Sequence, residues 1–339
     1  MDRKQWKKRL TIDQTPRWRA AVQGGFLILN LWIGFQFLLF VRRFEGVWTP
    51  WQAARPAGVE GWLPIAGLMN TKYFLLTGSI PAIHPSAMVL VLTFLLLSVL
   101  FRKAFCGWLC PVGTVSEWLW KLGRETFGRS FSAPKWLDIP LRGLKYVLLS
   151  AFLYAVLSMG TAQIAGFLHS PYGLIADVKM LNFFRYLSPA AAMFLAAMVM
   201  VSIFVRNAWC RYLCPYGALM GLAAMLSPAR IRRTASACID CGKCAKACPS
   251  QLPVDRLVQI RSAECLGCME CVAACPAEGA VAMTVAGRPV AGQRLALGVV
   301  LVFVAVYAGA RMSGHWDSAI PDAVYQELVP EARWMDHPR

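Results

Sequence analysis

The sequence predicts a polytopic α-helical membrane protein that carries a small cysteine-rich α+β module. Of its 339 residues, 57% are hydrophobic and only 16% are charged, which is too apolar for a water-soluble globule of this length. Apolar runs long enough to enter a bilayer recur along the chain, and all twelve cysteines stand in patterned positions. The composition and the apolar runs predict the membrane part, and the cysteine spacing predicts the module.

Five apolar segments are candidate transmembrane helices. They are residues 20–41, 87–101, 147–168, 190–205 and 295–310. A hydrocarbon core of about 30 Å needs about 20 helical residues, so the second and fourth segments are short. We therefore expect these two helices to continue past Arg102 and Arg206, whose side chains can snorkel. The first segment is too long for a signal peptide, and we expect a retained anchor.

The basic residues predict the orientation in the membrane. Of the 35 lysines and arginines, 26 lie in residues 1–19, 102–145 and 206–294. Because basic residues favour the cytoplasmic side, we expect a multi-pass protein of the bacterial inner membrane with a cytoplasmic N-terminus and a periplasmic C-terminus. A formal net charge of +17 would suggest nucleic acid as the partner of a soluble protein. Here the membrane topology accounts for the charge, and we expect no nucleic-acid partner.

Eight cysteines form two runs with the same spacing, C-x2-C-x2-C-x3-C-P. This spacing is that of bacterial ferredoxins with two 4Fe-4S clusters, in which the fourth cysteine of each run binds the other cluster. We therefore expect two crossed ligand sets. The first is Cys238, Cys241, Cys244 and Cys275, and the second is Cys265, Cys268, Cys271 and Cys248. Zinc also binds C-x2-C pairs and is the alternative, whereas disulfides are disfavoured on the reducing side of the membrane.

The other four cysteines form a second pair of matching motifs, each C-x3-C-P. Residues 101–113 align with residues 205–217, so we expect two tandem two-helix repeats of parallel orientation. We expect each cysteine pair to lie on one helical face before the proline ends the helix. Four such thiols suit a third iron-sulfur or metal centre, with redox-active dithiols or simple packing as alternatives. They are Cys106, Cys110, Cys210 and Cys214.

These patterns divide the chain into five predicted regions. They are a basic cytoplasmic arm (1–19), a four-helix membrane domain (20–228), a cytoplasmic ferredoxin module (229–293), a fifth transmembrane helix (294–310) and a periplasmic tail (311–339). His84 and His169 fall on the predicted outer side. We consider them as ligands of an outer metal site or as acceptors of quinol protons, with packing or capping of turns as the competing interpretation.

On these motifs the sequence resembles the membrane polyferredoxins of the NapH, MauN and NosR type, and more loosely the FixG and CcoG type. The resemblance covers residues 20–290 and rests on both C-x3-C-P motifs and both ferredoxin runs. It implies an electron-transfer subunit of a quinol dehydrogenase-like oxidoreductase system, serving periplasmic reductases or metalloenzyme maturation. The chain departs from the NosR type in lacking a large periplasmic flavin-binding domain, and no C-x-x-C-H motif for covalent haem occurs.

Two functions follow as hypotheses. In the first, the protein relays electrons between quinol or a cytoplasmic donor and a periplasmic redox partner. About 30 Å of hydrocarbon is too wide for one efficient electron hop, so a quinone, a haem of a partner protein or a bound metal has to lie between. In the second, the protein is a component that reduces copper or iron ions for metal uptake or cofactor assembly. The sequence does not decide between them.

Overall fold

The computed structural model describes residues 7–10, 13–47, 52–128, 131 and 133–335. The helices, in chain order, are α1 (Thr15–Phe44), α2 (Pro64–Thr77), α3 (Pro85–Phe101), α4 (Pro111–Phe127), α5 (Lys135–Ser158), α6 (Thr161–Leu168), α7 (Pro171–Leu174), α8 (Ala176–Arg185), α9 (Pro189–Phe204), α10 (Pro215–Ala224), α11 (Lys243–Ala247), α12 (Glu270–Ala273), α13 (Gly292–Met312) and α14 (Asp322–Leu328). The strands are β1 (Ala229–Arg233), β2 (Val281–Val285) and β3 (Arg288–Pro289).

Among the described residues, three helices are long and apolar enough to cross a membrane, namely α1, α5 and α13. The pair α8 and α9 meets the same criteria together but is bent by 78°, so it is either a broken span or a re-entrant loop. Helix α3 is apolar but has only 17 residues, somewhat fewer than the ~20 that a bilayer requires. The protein therefore has three to four candidate spans, and the fifth stays a prediction.

Two of the predicted helix ends are wrong. Helix α3 ends at Phe101 and does not continue past Arg102, which has a φ of 65°. Helix α9 likewise ends at Phe204 before reaching Arg206, and Asn207 has a φ of 50°. A residue in this left-handed conformation cannot continue a right-handed helix. At both places the chain turns directly before the C-x3-C-P cysteines.

The predicted third span, 147–168, is also displaced in the structure. Helix α5 begins at Lys135. The first half of this helix is polar, so a search for apolar runs does not include it in the predicted span. Its Asp138 is paired with Arg211, whose Nε donates to Oδ1 over 2.9 Å, so the charge lies in a buried ion pair. The helix ends at Ser158 because Gly160 is extended and caps the next helix, its N–H donating to Gln163 Oε1.

The chain forms two compact units. The first comprises Met1–Leu27, Phe94–Leu149 and Ala196–Phe303, and includes all the cysteines. Its three-stranded antiparallel sheet has the order β1-β2-β3. Ile231 of β1 lies opposite Met283 of β2, and both are buried in the small core of the ferredoxin module. In β1, buried Ala229 and Ile231 alternate with the less buried Arg230 and Arg232, which favours this register.

The second unit comprises Ile28–Thr93, Ser150–Leu195 and Val304–Arg339. Helices α1, α3, α5, α9 and α13 contain residues of both units. Helix α14 of the predicted tail packs in the core of this unit, where Tyr325 meets Phe40 edge to face with ring centroids 5.1 Å apart. The described part of the tail is therefore a packed element.

Candidate functional site

Four of the ferredoxin cysteines line one cavity. Cys265, Cys268 and Cys271 come from the second run and Cys248 from the first, which is the set predicted for cluster two, including the crossed ligand. Soft sulfur ligands around an apolar pocket fit an iron-sulfur cluster. The other lining residues include Ile231, Leu252, Val254, Ile260, Leu266 and Met269.

The remaining four ferredoxin cysteines are the predicted set for cluster one. Cys244 and Cys275 come from different runs and interact electrostatically, as the crossed arrangement requires. Burial raises the pKa of Cys244, and the neighbouring Cys275 thiol raises it further. Cys241 differs from the rest, because it is exposed whereas the other seven ferredoxin cysteines are buried.

The two runs share one backbone geometry. In each run the residues directly before and after the second cysteine have a left-handed backbone, which wraps the chain around that cysteine. Glycine adopts this conformation freely, so a left-handed backbone could be expected at Gly242 and Gly267 from the sequence. It could not be expected at Asp240 and Met269. The four residues are Asp240 (φ 53°) and Gly242 (φ 67°), then Gly267 (φ 62°) and Met269 (φ 59°).

Burial also governs the chemistry of the cluster-two thiols. It raises the pKa of Cys248 to about 11, with the N–H of Leu252 opposing this shift and the Cys265 thiol adding to it. It raises the pKa of Cys268 and of Cys271 too. A bound metal deprotonates such thiols outright, so we expect cluster binding to release protons.

The C-x3-C-P elements have a geometry that the sequence argument missed. Cys106 lies in a single π-helical turn, Phe105–Leu109, and Cys110 caps α4. Cys210 and Cys214 repeat this arrangement at Trp209–Leu213 and α10. The expectation that the proline ends the helix was wrong. Proline begins the next helix instead, because its fixed φ and missing N–H suit the first helical position.

The structure brings the four C-x3-C-P cysteines together. Cys210 interacts electrostatically with Cys214, Cys110 and Cys106, across the two repeats. Burial raises the pKa of Cys110 to about 11, although the N–H of Gly113 lowers it. Cys110 and Cys214 both lie at helix N-termini, which favour negative charge, and Cys214 Sγ accepts a hydrogen bond from Gly217 N at 3.2 Å.

Two buried lysines lie beside these four thiols. Lys103 is 2% exposed and lowers the pKa of Cys106 and of Cys110 through its charge, in both cases against the larger effect of burial. Lys145 is 0% exposed and acts on Cys106 in the same direction. Its Nζ also donates to both carboxylate oxygens of Glu264 at 2.6 Å. Sequence reasoning missed both lysines, having counted them only as topology signals.

Both C-x3-C-P elements contact the loops that carry the cluster-two cysteines. Trp108 Nε1 donates to Gly267 O at 3.2 Å, directly before Cys268. At Gly107 the packing is so close that an added Cβ would lie 2.6 Å from Leu266 O. From the other repeat, Arg211 Nη1 donates to Ser250 O at 2.8 Å, two residues after Cys248.

Among the described residues, no three His, Cys, Asp or Glu side chains are grouped so as to hold one metal ion. A 4Fe-4S cluster distributes its four ligands over four irons, so its cysteines need not converge on one point. The ligand assignment for all three centres stays a prediction.

The two histidines that were predicted on the outer side have different surroundings. His169 is exposed, and its Nδ1 lies 2.8 Å from Ala165 O within its own helix turn. His84 is fully buried, with Nε2 2.9 Å from Gly173 O and Nδ1 3.1 Å from Glu60 Oε1. Arg55 joins this cluster, since its Nη2 donates to Glu60 Oε1 at 2.7 Å. The proposed metal or quinol role of the histidines stays a prediction.

We expect the stability of the protein to depend on the charge of His84. A carbonyl only accepts, so Nε2 carries a proton, and Glu60 lies closer to Nδ1 than the Arg55 guanidinium does, at 3.1 against 3.4 Å. Burial lowers the pKa of His84, but Glu60 outweighs it and raises the pKa above 6.5. The stabilisation by charged His84 is therefore fully present below about pH 6.5 and is lost as pH rises through the raised pKa of His84.

Unfolding midpoints measured against pH should show this decline in stability, and His84→Gln should flatten it. An equal decline in His84→Gln would contradict the assignment.

The apolar helices and the cysteine module together define a membrane iron-sulfur protein. The 4Fe-4S binding domain family matches residues 83–130 and again 187–234, and the 4Fe-4S dicluster domain family matches residues 230–286. Each match of the first family contains one C-x3-C-P motif, which confirms the internal repeat. No solved structure matches the chain.

The chain belongs to the membrane polyferredoxins, which are ferredoxin-type electron-transfer proteins. It is 48% identical over 328 residues to YccM of Escherichia coli (strain K12), named as a candidate electron transport protein, covering 94% of this chain and 92% of the relative. It is 28% identical to the methylamine utilization ferredoxin-type protein MauN of Methylorubrum extorquens, covering 71% and 82%. It is 26% identical to the ferredoxin-type protein NapH of Escherichia coli, covering 55% and 61%. These relatives confirm the resemblance drawn from the motifs.

Proposed function

We propose that the protein is a membrane-bound relay that carries electrons between a cytoplasmic donor or quinol and a redox partner on the periplasmic side. Bound iron-sulfur clusters supply one-electron carriers, which the chain holds through three sets of four cysteines. The observation that carries this proposal is the direct contact of both C-x3-C-P elements with the loops of the cluster-two cysteines. These contacts hold the three cysteine sets within one compact unit.

The buried lysines support a metal-thiolate centre at Cys106, Cys110, Cys210 and Cys214. Ammonium groups are rarely buried without compensating negative charge. Lys145 and Lys103 both interact with Glu264, so two buried positive charges beside these thiols share one carboxylate. An iron-sulfur cluster held by four thiolates is anionic and offsets this charge. Four neutral packing thiols would not.

The order of the cysteine sets supports a direction for the relay. Cluster-two cysteines neighbour the C-x3-C-P elements, whereas the cluster-one set includes the exposed Cys241. The chain thus surrounds the cluster-two cysteines with apolar side chains and leaves the cluster-one end of the series accessible to a donor. Electron transfer is steeply limited by distance, so we expect the donor to approach Cys241.

We further propose five spans in the bacterial inner membrane, with the ferredoxin module inside and the C-terminus outside. The distribution of 26 of the 35 basic residues supports this orientation. A reporter that is active only in the periplasm should work when fused after Arg339 and fail when inserted after Gly287. The opposite pattern would show that the orientation is the reverse of the proposed one. Activity at both positions would show that residues 294–310 do not cross the membrane.

The relay is tested with the purified protein in sealed vesicles that contain ferricyanide, an acceptor that does not cross the bilayer. We expect a reductant added outside to bleach the internal ferricyanide only in vesicles containing the protein, and Cys110→Ser to abolish the bleaching. A short-chain ubiquinol as donor tests the quinol branch. Replacing ferricyanide by Cu²⁺ or Fe³⁺ tests the alternative function in metal-ion reduction. Bleaching that is equal in Cys110→Ser would contradict the relay.

A further inference from the structure

The surface around cluster one is exposed and basic. We define the carrier face as Lys7, Lys8, Cys241, Lys243 and Lys246, all of which are exposed. Lys243 and Lys246 are three residues apart in α11 and so lie on the same side of that short helix. Cys241 is the only exposed residue among the eight ferredoxin cysteines, so this face gives the shortest approach from solvent to a predicted cluster ligand.

Backbone hydrogen bonds attach the N-terminal arm next to Cys275, the crossed ligand of cluster one. Arg9 N donates to Pro276 O and Glu278 N donates to Lys7 O, each at 2.8 Å. Lys8 pairs with Ala277 in an isolated antiparallel bridge. Residues 7–9 are therefore bonded to the module surface, and they lie beside a predicted ligand of the same cluster that Lys243 and Lys246 adjoin.

Among the described residues, the four lysines of the carrier face outnumber the acidic residues next to it. These acidic residues are Asp240, Asp255 and Glu278, and Asp240 is within 3.7 Å of Arg233 Nη1. Membrane topology explains why lysines are abundant on the cytoplasmic side. It does not explain why Lys243 and Lys246 directly follow the one exposed cluster ligand while Lys7 and Lys8 are bonded beside Cys275, a predicted ligand of the same cluster. A charged docking partner would explain both.

We propose that a small acidic one-electron carrier protein docks on the carrier face and is the electron donor. This inference rests on the proposed relay and selects its cytoplasmic-donor branch over quinol. Acidic side chains of the carrier would lie against the four lysines, which speeds encounter and fixes orientation. In each encounter the carrier loses one electron and the protein gains one, and no bond or proton is exchanged.

Binding is tested with an acidic flavodoxin as the probe and the full-length protein in detergent. We expect the dissociation constant to rise with ionic strength, because salt screens exposed charges. Lys243→Glu with Lys246→Glu should weaken binding by about tenfold or more. The matched control, Arg256→Glu with Arg261→Glu, makes the same change in net charge at exposed residues of the same module and should bind within about twofold of the parent. Carbodiimide cross-linking followed by mass spectrometry should link flavodoxin carboxylates to Lys243 or Lys246.

The outcomes separate this inference from the relay itself. Iron content and bleaching by dithionite show whether the clusters are present. If the parent protein has no clusters, the proposed relay function is contradicted. If the clusters are present, equal affinities of the two double variants, or cross-links only outside the carrier face, overturn the docking proposal alone. Should the charge reversal impair folding, Lys243→Gln with Lys246→Gln replaces it, with a smaller but still salt-dependent loss of affinity expected.

Discussion

Replacing Cys110 or Cys214 by serine should lower the iron content from about twelve atoms per chain to about eight, the amount held by two 4Fe-4S clusters. The reason is that four interacting thiols from both repeats are assigned to one centre, so that losing either ligand removes the whole centre. The double variant should lose no more iron than either single variant, since groups that act as one unit are not additive. Iron analysis of anaerobically purified protein measures this directly, and the reduced-state spectra should lose the same feature in both variants.

Cys241→Ser is the matched control for these variants. It makes the same chemical change at a ligand of the ferredoxin module, so it should remove iron from cluster one and leave the C-x3-C-P feature in place. Single variants of Cys110 and Cys214 that retain full iron and full electron transfer would make these cysteines packing residues. A loss of only one or two irons would instead indicate a mononuclear or 2Fe-2S centre.

The grouping of the ferredoxin cysteines was predictable because their spacing is local. Each run places three cysteines within seven residues, and so short a spacing strongly constrains the loop. Cys248, predicted from the same known spacing as the crossed ligand, lines the pocket of the second run. The proximity of the C-x3-C-P cysteines was predicted from the internal repeat, which needs no knowledge of the helix ends. The role of all twelve cysteines as ligands stays a prediction.

The helix ends and the buried charges were not predictable in the same way. An argument from apolar runs interprets a charge as the end of a helix, yet Lys145 lies inside α5 because Glu264, 119 residues later, neutralises it. Neither the left-handed φ of Arg102 nor the π-helical turn before Cys110 can be predicted from composition or from hydrophobic periodicity. Only tertiary partners justify these features, and those partners are distant in sequence.

Arg19 is the clearest case of such a distant partner. It is buried at 1% exposure within α1, and its Nε donates to Gly107 O at 2.9 Å. Its Nη1 donates to Glu117 and to Glu270, in both cases at 2.8 Å. Burial disfavours the charged form of Glu117, but Arg19 lowers the pKa of this carboxyl to about 2. One guanidinium therefore connects α1, the first C-x3-C-P turn and the helix that carries Cys271.

Arg19→Met should destabilise the protein by about 3–5 kcal/mol, because it leaves a buried carboxylate without its main partner. Arg17→Met is the matched control, since Arg17 is exposed in the same helix turn and, among the described residues, its side chain donates to Gln14 Oε1 at 3.3 Å. It should change stability by less than about 0.5 kcal/mol. Adding Glu117→Gln to Arg19→Met should restore part of the loss, because it removes a buried charge whose remaining ion pair is with the partly exposed Lys121. Arg19→Lys should be intermediate because it keeps the charge but not the planar fork. Unfolding midpoints in detergent, with iron content measured on the same samples, check these expectations. Equal midpoints for Arg19→Met and Arg17→Met would show that this buried ion pair contributes nothing to stability.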